Sequence, residues 1–275
     1  MKIDKKKIST KNSPFIIAEI GMNHNGNLNK AFKLIDYAVD AKCDAVKFQT
    51  IKINKLMVDN TPLAKYQKKS NFSNMNELIN AYNLSYLDFV KIKDYCKKKK
   101  IIFLSTPFDI ESAYFLNKLN IPAFKISSSD NDNIFLIETI KKFKKPVIIS
   151  TGMTKIKELK KILNIVKFKK DKLAVLHCIS DYPTDLKDTK LGAIDQIKKF
   201  GYEVGFSDHT LGIEAALAAI SKGSSIIEKH ITLDNNMEGP DHRASLECKN
   251  LSKFVQSIRD VSLSLNDDRN SISKK

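Results

Sequence analysis

The sequence is poor in cysteine and in long apolar runs, and each shortage excludes a class of protein. Its four cysteines are spread along the chain and form no Cys-x-x-Cys pair. We therefore expect no disulfide framework, and we expect the cysteines to be reduced thiols in a cytoplasmic protein. No apolar run approaches the roughly 18 residues of a membrane span, and residues 2–8 are too polar for a signal peptide. We therefore predict a cytoplasmic protein that has no membrane partner.

Arginine is also scarce, although the chain is strongly basic. The sequence has 47 basic and 31 acidic residues, a formal net charge of +16, but arginine only at Arg243, Arg259 and Arg269. Specific recognition of bases favours arginine forks and aromatic stacking platforms, and neither is evident. We therefore expect no nucleic-acid partner, while the positive potential is suited to attracting anionic substrates.

Eight apolar runs are present, and each leads directly into a short polar motif. They begin at Phe15, Asp44, Ile101, Ala123, Pro146, Leu173, Val204 and Ser225. An unbroken apolar run is typical of a parallel strand that is buried on both faces. In a (β/α)8 barrel the functional side chains lie at the carboxyl ends of such strands. The pattern predicts a TIM-barrel enzyme with its site on one face.

Segments with helical spacing of apolar residues alternate with these runs, which indicates a parallel sheet. The predicted helices span residues 28–41, 86–100, 110–119, 134–143, 156–168, 191–200, 212–223 and 251–265. The alternative is an open doubly wound sheet, but no Gly-x-Gly-x-x-Gly turn follows the first strand. The length of 275 residues fits one barrel.

The segments outside this alternation lead to three further predictions. Ile3 and Ile8 lie in a weakly alternating segment that predicts a short N-terminal β-hairpin, which closes the bottom of the barrel. The polar stretch from Lys52 to Glu77 is predicted to be a long loop over the active face. A single barrel domain is assigned to residues 1–265, and residues 266–275 are expected to form a polar C-terminal tail.

Hydroxyl and lysine side chains at the predicted strand ends should converge on the barrel mouth. Two lysines and several hydroxyls can hold a phosphate and a carboxylate through charge-assisted hydrogen bonds. The residues with this placement are Lys47, Thr106, Lys125, Ser128, Ser150 and Ser207. The sequence therefore predicts a site for an anionic, phosphate-bearing substrate.

Two histidines end successive strands, and they indicate a metal site. His209 and His230 follow the seventh and eighth apolar runs, with Glu19 on the adjacent first strand and Asp241 in the final loop. Imidazole and oxygen ligands without thiolate suit Mn, Co, Zn or Mg. An anion site beside a metal that can polarise a carbonyl is compatible with aldolases and with phosphoenolpyruvate-using synthases, and the residues alone do not choose between them.

Ordered motifs along the whole chain resemble the sialic acid (N-acetylneuraminate) synthase family, including its legionaminic acid synthase-like members. The matching segments are residues 18–26, 46–50, 105–108, 125–126, 150–153, 182–183, 207–210, 228–230 and 239–242. The resemblance implies an enzyme that condenses phosphoenolpyruvate with an N-acylated hexosamine-type aldehyde sugar. The products would be a nine-carbon nonulosonic acid of sialic or legionaminic type and phosphate.

The same resemblance implies a role for each matched residue. It places Lys47, Thr106, Lys125, Ser128, Ser150 and Ser207 around phosphoenolpyruvate. It assigns a divalent metal, Mn or Mg, to His209 and His230. It places Glu19, Gln49, Phe108, Tyr182 and Asp241 along the sugar. The predicted catalytic residues are Glu19, Lys47, Lys125, Asp130 and Asp241, and Ser180 is a further substrate-binding residue.

The sequence departs from the family pattern at three places. Asp130 stands where sialic acid synthases carry Glu, in a position assigned to water activation or substrate contact, and Ser180 stands where they carry Asn. Both changes are closer to the legionaminic-acid branch. The family's antifreeze-like domain, which caps the barrel of the partner subunit in a homodimer, would begin after Lys275.

We therefore expect either a separate antifreeze-like capping protein or a barrel that works uncapped. The alternative function is a non-catalytic or partner-dependent barrel that binds sugar or phosphoenolpyruvate as a subunit of a split synthase.

Overall fold

A closed barrel of parallel strands forms the centre of the molecule. The computed structural model describes residues 1–52, 61–63 and 72–265. Its strands are β1 (Lys2–Ile3), β2 (Lys6–Lys7), β3 (Phe15–Gly21), β4 (Ala45–Thr50), β5 (Ile102–Pro107), β6 (Phe124–Ile126), β7 (Val147–Ser150), β8 (Leu173–Cys178), β9 (Glu203–Asp208), β10 (Ile226–Thr232) and β11 (Leu246–Glu247). Strands β3 to β10 pair in sequence order, and β10 pairs with both β9 and β3. This closure confirms the predicted TIM barrel and excludes the open sheet.

Helices on the outside connect the strands. They are α1 (Leu28–Asp40), α2 (Met75–Tyr82), α3 (Tyr86–Lys99), α4 (Ile110–Lys118), α5 (Ile134–Lys142), α6 (Ile156–Val166), α7 (Ala193–Lys198), α8 (Glu214–Ser221) and α9 (Cys248–Ser264). Each helix predicted from the apolar spacing is present, with ends that differ by at most three residues. The core lies between the barrel wall and the buried faces of these helices.

Helix α2 was missed, and the predicted loop from Lys52 to Glu77 is wrong at its end. Asn74 caps α2, because its side chain accepts a 2.9 Å hydrogen bond from the backbone N–H of Glu77, while the Glu77 carboxylate accepts from the N–H of Ser73. An Asn followed three residues later by Glu is a helix-start signal that the polar composition concealed. The rest of the loop, residues 53–60 and 64–71, and the tail 266–275 lie outside the described residues.

The N-terminal hairpin closes the bottom of the barrel, as predicted. Strands β1 and β2 pair antiparallel, and Ile3 and Ile8 are buried against Phe15, Ile17 and other residues near the amino ends of the strands. These apolar side chains form a plug that excludes water from the bottom of the barrel. Solvent and substrates therefore reach the barrel from the carboxyl ends of its strands. None of the described helices has the length and apolarity needed to cross a bilayer.

We predict that Gly205→Ala destabilises the barrel. A Cβ atom at this position of β9 would lie 2.5 Å from Leu176 Cδ2 and 2.6 Å from the backbone oxygen of Ile226. Both neighbouring strands would have to shift, which should lower the free energy of unfolding by about 1–3 kcal/mol. Gly192→Ala is the control, because a Cβ there meets no atom within 4 Å. Denaturant unfolding that gives equal stabilities for the two variants would contradict this packing.

Candidate active site

A cavity of about 630 Å³ opens at the carboxyl ends of the barrel strands. Every predicted site residue lines it. They are Glu19, Lys47, Gln49, Thr106, Phe108, Lys125, Ser128, Asp130, Ser150, Ser180, Tyr182, Ser207, His209, His230 and Asp241. These side chains come from all eight barrel strands or the loops that follow them. The strand assignments made from the sequence predicted that these residues lie on one face, and in the structure they line one cavity.

Two buried lysines form the floor of the cavity and share one carboxylate. Lys47 Nζ lies 3.7 Å from Glu228 Oε2, and Lys125 Nζ lies 3.6 Å from Glu228 Oε1. Lys47 also lies 2.7 Å from Glu19 Oε2. All four side chains are at most 5% exposed. The two ammonium groups are therefore held side by side, away from bulk water, by a carboxylate that the sequence analysis had assigned no role.

The predicted hydroxyl groups complete this cluster. Lys47 donates a 3.1 Å hydrogen bond to Thr106 Oγ1, and Lys125 donates a 2.5 Å bond to Ser150 Oγ. Ser207 donates to Glu228 Oε1 at 2.9 Å. Ser128 Oγ accepts from the backbone N–H of Gly152 at 2.9 Å. Lysine and hydroxyl donors thus surround a position that a carboxylate already occupies, so the cluster has the composition of an anion site.

Burial and charge shift the two carboxyl groups in opposite directions. Burial raises the pKa of Glu19 to about 7, although Lys47 opposes the shift. Burial would also raise the pKa of Glu228, but Lys125 and Lys47 outweigh it and lower that pKa to about 2. Near neutral pH Glu228 is therefore ionised, while Glu19 can both gain and lose a proton. Carboxyl groups with diverging pKa values in one cleft are typical of acid–base sites.

The two histidines predicted to bind metal lie together at the edge of the cavity. Their ring centroids are 5.6 Å apart. Nδ1 of His209 lies 2.7 Å from the oxygen of Ile179; because a carbonyl only accepts, Nδ1 carries the hydrogen and Nε2 of the neutral ring keeps a free lone pair. Nδ1 of His230 is buried and has no hydrogen-bond partner among the described residues. Each ring thus offers a nitrogen to a divalent ion.

Other candidate ligands are few. Asp241 Oδ2 lies 3.9 Å from His230 Nδ1, and burial raises the pKa of Asp241 to about 6. The described residues contain no group of three or more His, Cys, Asp or Glu arranged for a metal. Among the described residues the donors available to an ion are therefore the two imidazoles, with the Asp241 carboxyl group nearby.

Strand β10 presents its side chains to two different environments. Glu228 and His230 point into the cavity, whereas Lys229 between them is 1% exposed and lies 2.8 Å from Asp208 Oδ2. Lys229 also donates to the backbone oxygens of Thr210 at 2.5 Å and Gly212 at 3.0 Å. This period-two alternation is the signal by which the sequence could have revealed Glu228, because it shares a face with His230.

An apolar wall faces the polar cluster across the cavity. Met75, Leu78 and Ile79 of α2 line it together with Met22 and Ile51, and these residues pack into one apolar cluster. The predicted sugar-side residues Gln49 and Phe108 line the same cavity. The wall was missed from the sequence because no helix was predicted at residues 75–82, whose first three residues were assigned to the loop that ended at Glu77.

Asp130 lies at the rim of the cavity and bonds within its own loop. Its carboxylate accepts hydrogen bonds from Ser127 Oγ at 2.9 Å, Ser129 Oγ at 3.1 Å and Asn133 Nδ2 at 3.2 Å. Behind it, buried Asn131 donates to the backbone oxygen of Ser150 at 3.2 Å. The charged cluster on the floor thus contains Glu19 and Glu228, and Asp130 belongs to the edge of the site.

Comparison with known proteins assigns the chain to a family. The sequence profile of the NeuB family matches residues 34–270. The chain belongs to the NeuB family. This membership and the relatives below confirm the resemblance drawn from the motifs, and the chain is an enzyme of the sugar-acid synthase class.

Relatives of this NeuB-family chain are similar over most of its length. An N,N'-diacetyllegionaminic acid synthase of Campylobacter jejuni is 41% identical over 266 residues, which cover 94% of this chain and 79% of that protein. The N,N'-diacetyllegionaminic acid synthase of Legionella pneumophila is 39% identical, over 90% of this chain and 72% of that protein. The crystal structure of an N-acetylneuraminic acid synthetase from Leptospira borgpetersenii, in complex with citrate, superposes with a TM-score of 0.88 at 33% identity, covering 100% of this chain and 92% of that one.

We predict that Glu19→Gln changes the dependence of stability on pH. The folded carboxyl group binds its proton more tightly than the unfolded one, so the wild-type protein should lose stability as the pH rises from about 4.5 to about 7. The Gln variant has no such proton to lose, and its free energy of unfolding should fall less over this interval. Urea unfolding in EDTA across the interval measures the difference. Glu138→Gln, on the outer surface of α5, is the control, and a Glu19→Gln slope equal to that of the wild type would refute the prediction.

Proposed function

We propose that this NeuB-family enzyme condenses phosphoenolpyruvate with an N-acylated hexosamine-type aldehyde sugar, giving a sialic- or legionaminic-type nonulosonic acid and phosphate. The observation that carries the proposal is the position of Lys47 and Lys125, two buried cations beside a histidine pair in one cavity. The names of the relatives, which are nonulosonic acid synthases, support the same reaction.

Phosphoenolpyruvate would bind at the lysine cluster. Its phosphate and carboxylate are anions like the Glu228 carboxylate that now bridges the two ammonium groups. Thr106, Ser150 and Ser207 can turn their hydroxyl hydrogens toward a bound anion, because hydroxyl groups both donate and accept. Lys47 and Lys125 would stabilise the phosphate charge throughout the reaction, and since they are already fixed, little reorganisation is needed.

The aldehyde would lie between the lysine cluster and the histidine pair. His209 and His230 are the residues that would hold a divalent ion, Mn or Mg, and a bound ion of this kind polarises a carbonyl oxygen. The methylene carbon of phosphoenolpyruvate forms a bond to the aldehyde carbon. The second carbon of phosphoenolpyruvate, which carries the phosphate oxygen, then becomes cationic. Water adds to that carbon, and the tetrahedral intermediate releases phosphate by C–O cleavage.

Two proton transfers involve the protein, and a third accompanies the departure of phosphate. The added water loses a proton and the former aldehyde oxygen gains one, while the hydroxyl proton of the tetrahedral intermediate passes to the leaving phosphate as the ketone forms. Glu19 and Asp241 line the cavity, and burial brings the pKa of each close to neutral, to about 7 and about 6. We assign the two transfers to this pair. Asp130, whose carboxylate is bonded within its loop at the rim, is assigned to substrate contact with Ser180 and Tyr182.

The apolar wall favours a deoxygenated, diacylated acceptor sugar of the legionaminic type. Acyl methyl groups and a deoxy carbon expose apolar surface that Met75, Leu78 and Ile79 can cover. Two relatives that are 41% and 39% identical are named for that product. A phosphate-release assay with N-acetylmannosamine and with a dideoxy-diacetamido hexose tests this preference, and a clear preference for N-acetylmannosamine would overturn it.

Exposed apolar side chains around the mouth support a covering partner. They stand at the beginnings of α3, α4 and α5 and in the loops after β7, β8 and β9, all at the catalytic end of the barrel. They are Leu87, Ile110, Phe135, Met153, Leu186 and Leu211. Apolar side chains exposed together at one end of the barrel are suited to contact with a partner. We propose that a separate antifreeze-like protein, or the second subunit of a homodimer, covers it.

The same surface favours the alternative function, in which the barrel converts its substrates only when a partner protein is bound. Phosphate release measured with the chain alone, and again after addition of an antifreeze-like protein, separates the two functions. Turnover by the chain alone supports a self-sufficient enzyme, and turnover that needs the addition supports a split synthase.

We predict that Lys47→Ala and Lys125→Ala each weaken phosphoenolpyruvate binding. Each removes a charge-assisted contact worth about 1.5–3 kcal/mol, so the dissociation constant should rise by roughly ten- to a hundredfold. Calorimetric titration with phosphoenolpyruvate measures it. Lys142→Ala, on the exposed surface of α5, is the matched control. Wild-type affinity in either floor variant would remove the anion-site assignment.

We predict that EDTA abolishes phosphate release and that added Mn restores it. His230→Ala should also bind Mn at least 10- to 100-fold more weakly, because loss of a direct ligand costs no less than loss of an outer partner of a ligand. Calorimetry with Mn provides a readout that does not depend on turnover. Full activity of His230→Ala in excess EDTA would exclude a metal from the mechanism.

A further inference from the structure

Two polar loops lie at the cavity and bond to each other through side chains that have no role in the proposed chemistry. One loop, residues 22–27, follows β3, and the other, residues 233–245, follows β10. His242 Nε2 lies 2.8 Å from Asn25 Oδ1, and His242 Nδ1 lies 2.7 Å from Thr232 Oγ1. Asn25 Nδ2 donates to the backbone oxygen of Glu238 at 2.7 Å. Asn25 therefore bonds to the second loop on both sides of Asp241.

The bond between Asn25 and His242 fixes which ring nitrogen of His242 carries a hydrogen. Because Nδ2 of Asn25 donates to a carbonyl, its Oδ1 is the acceptor, so Nε2 of His242 carries the hydrogen. The hydroxyl of Thr232 has one hydrogen and two acceptors within reach, Nδ1 of the same ring at 2.7 Å and the backbone oxygen of Asp234 at 3.0 Å, and donation to the nearer Nδ1 completes the pairing of the ring. This is the neutral form of histidine, and it agrees with the pKa of His242, which burial and the charge of Lys30 lower to about 4.

A second connection reaches the backbone of Asp241 itself. Asn23 is fully buried, and its Nδ2 lies 2.8 Å from both the oxygen of Ile231 and Oγ of Ser245. Ser245 in turn donates to the backbone oxygen of Asp241 at 2.7 Å. We refer to the contacts of Asn23, Asn25, His242 and Ser245 as the loop clasp.

Glycine is required where the clasp is tightest. Gly239 has a φ of +154°, and a Cβ there would lie 2.6 Å from Cδ2 of His242 and 3.2 Å from Oδ1 of Asn25. A side chain would be strained by its backbone and would displace the His242 ring. Gly26 has a φ of +65°, and its Cβ would lie 2.8 Å from the oxygen of Ala81 in α2. The first loop is therefore packed against the helix of the apolar wall as well.

We infer that Asn25 and His242 are positioning residues that hold Asp241 in the cavity through the loop clasp, and that the clasp acts on the acceptor sugar and not on phosphoenolpyruvate. The inference rests on the proposed function, in which Asp241 takes part in proton transfer, and on the placement of Asp241 along the sugar that the family resemblance implies. Asp241 lines the cavity next to His230. The lysine floor belongs to β4 and β6, whereas the hydrogen bonds of the clasp are made to β10 and within the two loops. A purely structural clasp would affect both substrates equally.

The test compares two Asn→Gly variants at positions with left-handed backbone. Asn25 has a φ of +50°, so Asn25→Gly removes the clasp side chain without straining the chain. Asn120→Gly is the matched control, because Asn120 has a φ of +55° and its side chain bonds Lys145 beside a cleft at the opposite end of the barrel. Gly239→Ala is a second variant, which disturbs the same contact by displacing the ring.

Two measurements decide the outcome. In Asn25→Gly and Gly239→Ala, hydrogen exchange of the amides in residues 239–245 should speed up, and the Michaelis constant for the sugar should rise roughly three- to tenfold, while that for phosphoenolpyruvate stays at the wild-type value. Asn120→Gly should change neither. Unchanged exchange, or an equal rise in both Michaelis constants, would overturn the inference. If no sugar is turned over, the proposed function fails, and the exchange data still decide whether the clasp holds Asp241.

Discussion

The burial of two lysine ammonium groups at the mouth of the barrel is the constraint on which the rest of the site depends. A buried charge costs free energy unless it is paired and hydrogen bonded. Lys47 and Lys125 stand on different strands, and Glu228 on a third strand pairs with both. The barrel brings these three strands to one point, and the apolar plug beneath them excludes water from the other end. The site thus contains a carboxylate in contact with both cations, and an anionic substrate would have to compete with it.

Much of this arrangement could be predicted from the sequence, because buried parallel strands leave a strong signal. The apolar runs gave the strands of the barrel, and the polar residues after them gave the members of the cavity. Helix α2 was not predicted, since eight residues within a polar, Asn-rich stretch show little periodicity. Glu228 was present in a matched motif but received no role, because its function depends on a distance to two lysines that lie far away in sequence.

The loop clasp illustrates why position within a motif does not reveal a residue's role. Asn23, Asn25 and His242 are polar residues in motifs of the catalytic face, a placement typical of substrate contacts. In the structure their side chains bond to loop backbone and to one another. Their neighbours Glu19 and Asp241 line the cavity. The distinction between a residue that touches substrate and one that holds another residue in place required side-chain positions.

The alternation along β10 limits how this enzyme can change. Three consecutive side chains serve three separate purposes. Glu228 neutralises the lysines on the floor of the cavity, Lys229 joins its own strand to β9 and the loop after it, and His230 lies in the histidine pair. A shift of one residue would place a lysine in the cavity and two polar groups against the surrounding helices. Insertions and deletions in this strand should therefore be excluded during divergence, while the side chains of α2 that line the cavity, Met75, Leu78 and Ile79, contribute apolar surface and can be exchanged for other apolar residues. New acceptor sugars would then arise through substitutions in that helix, with the strand left unchanged.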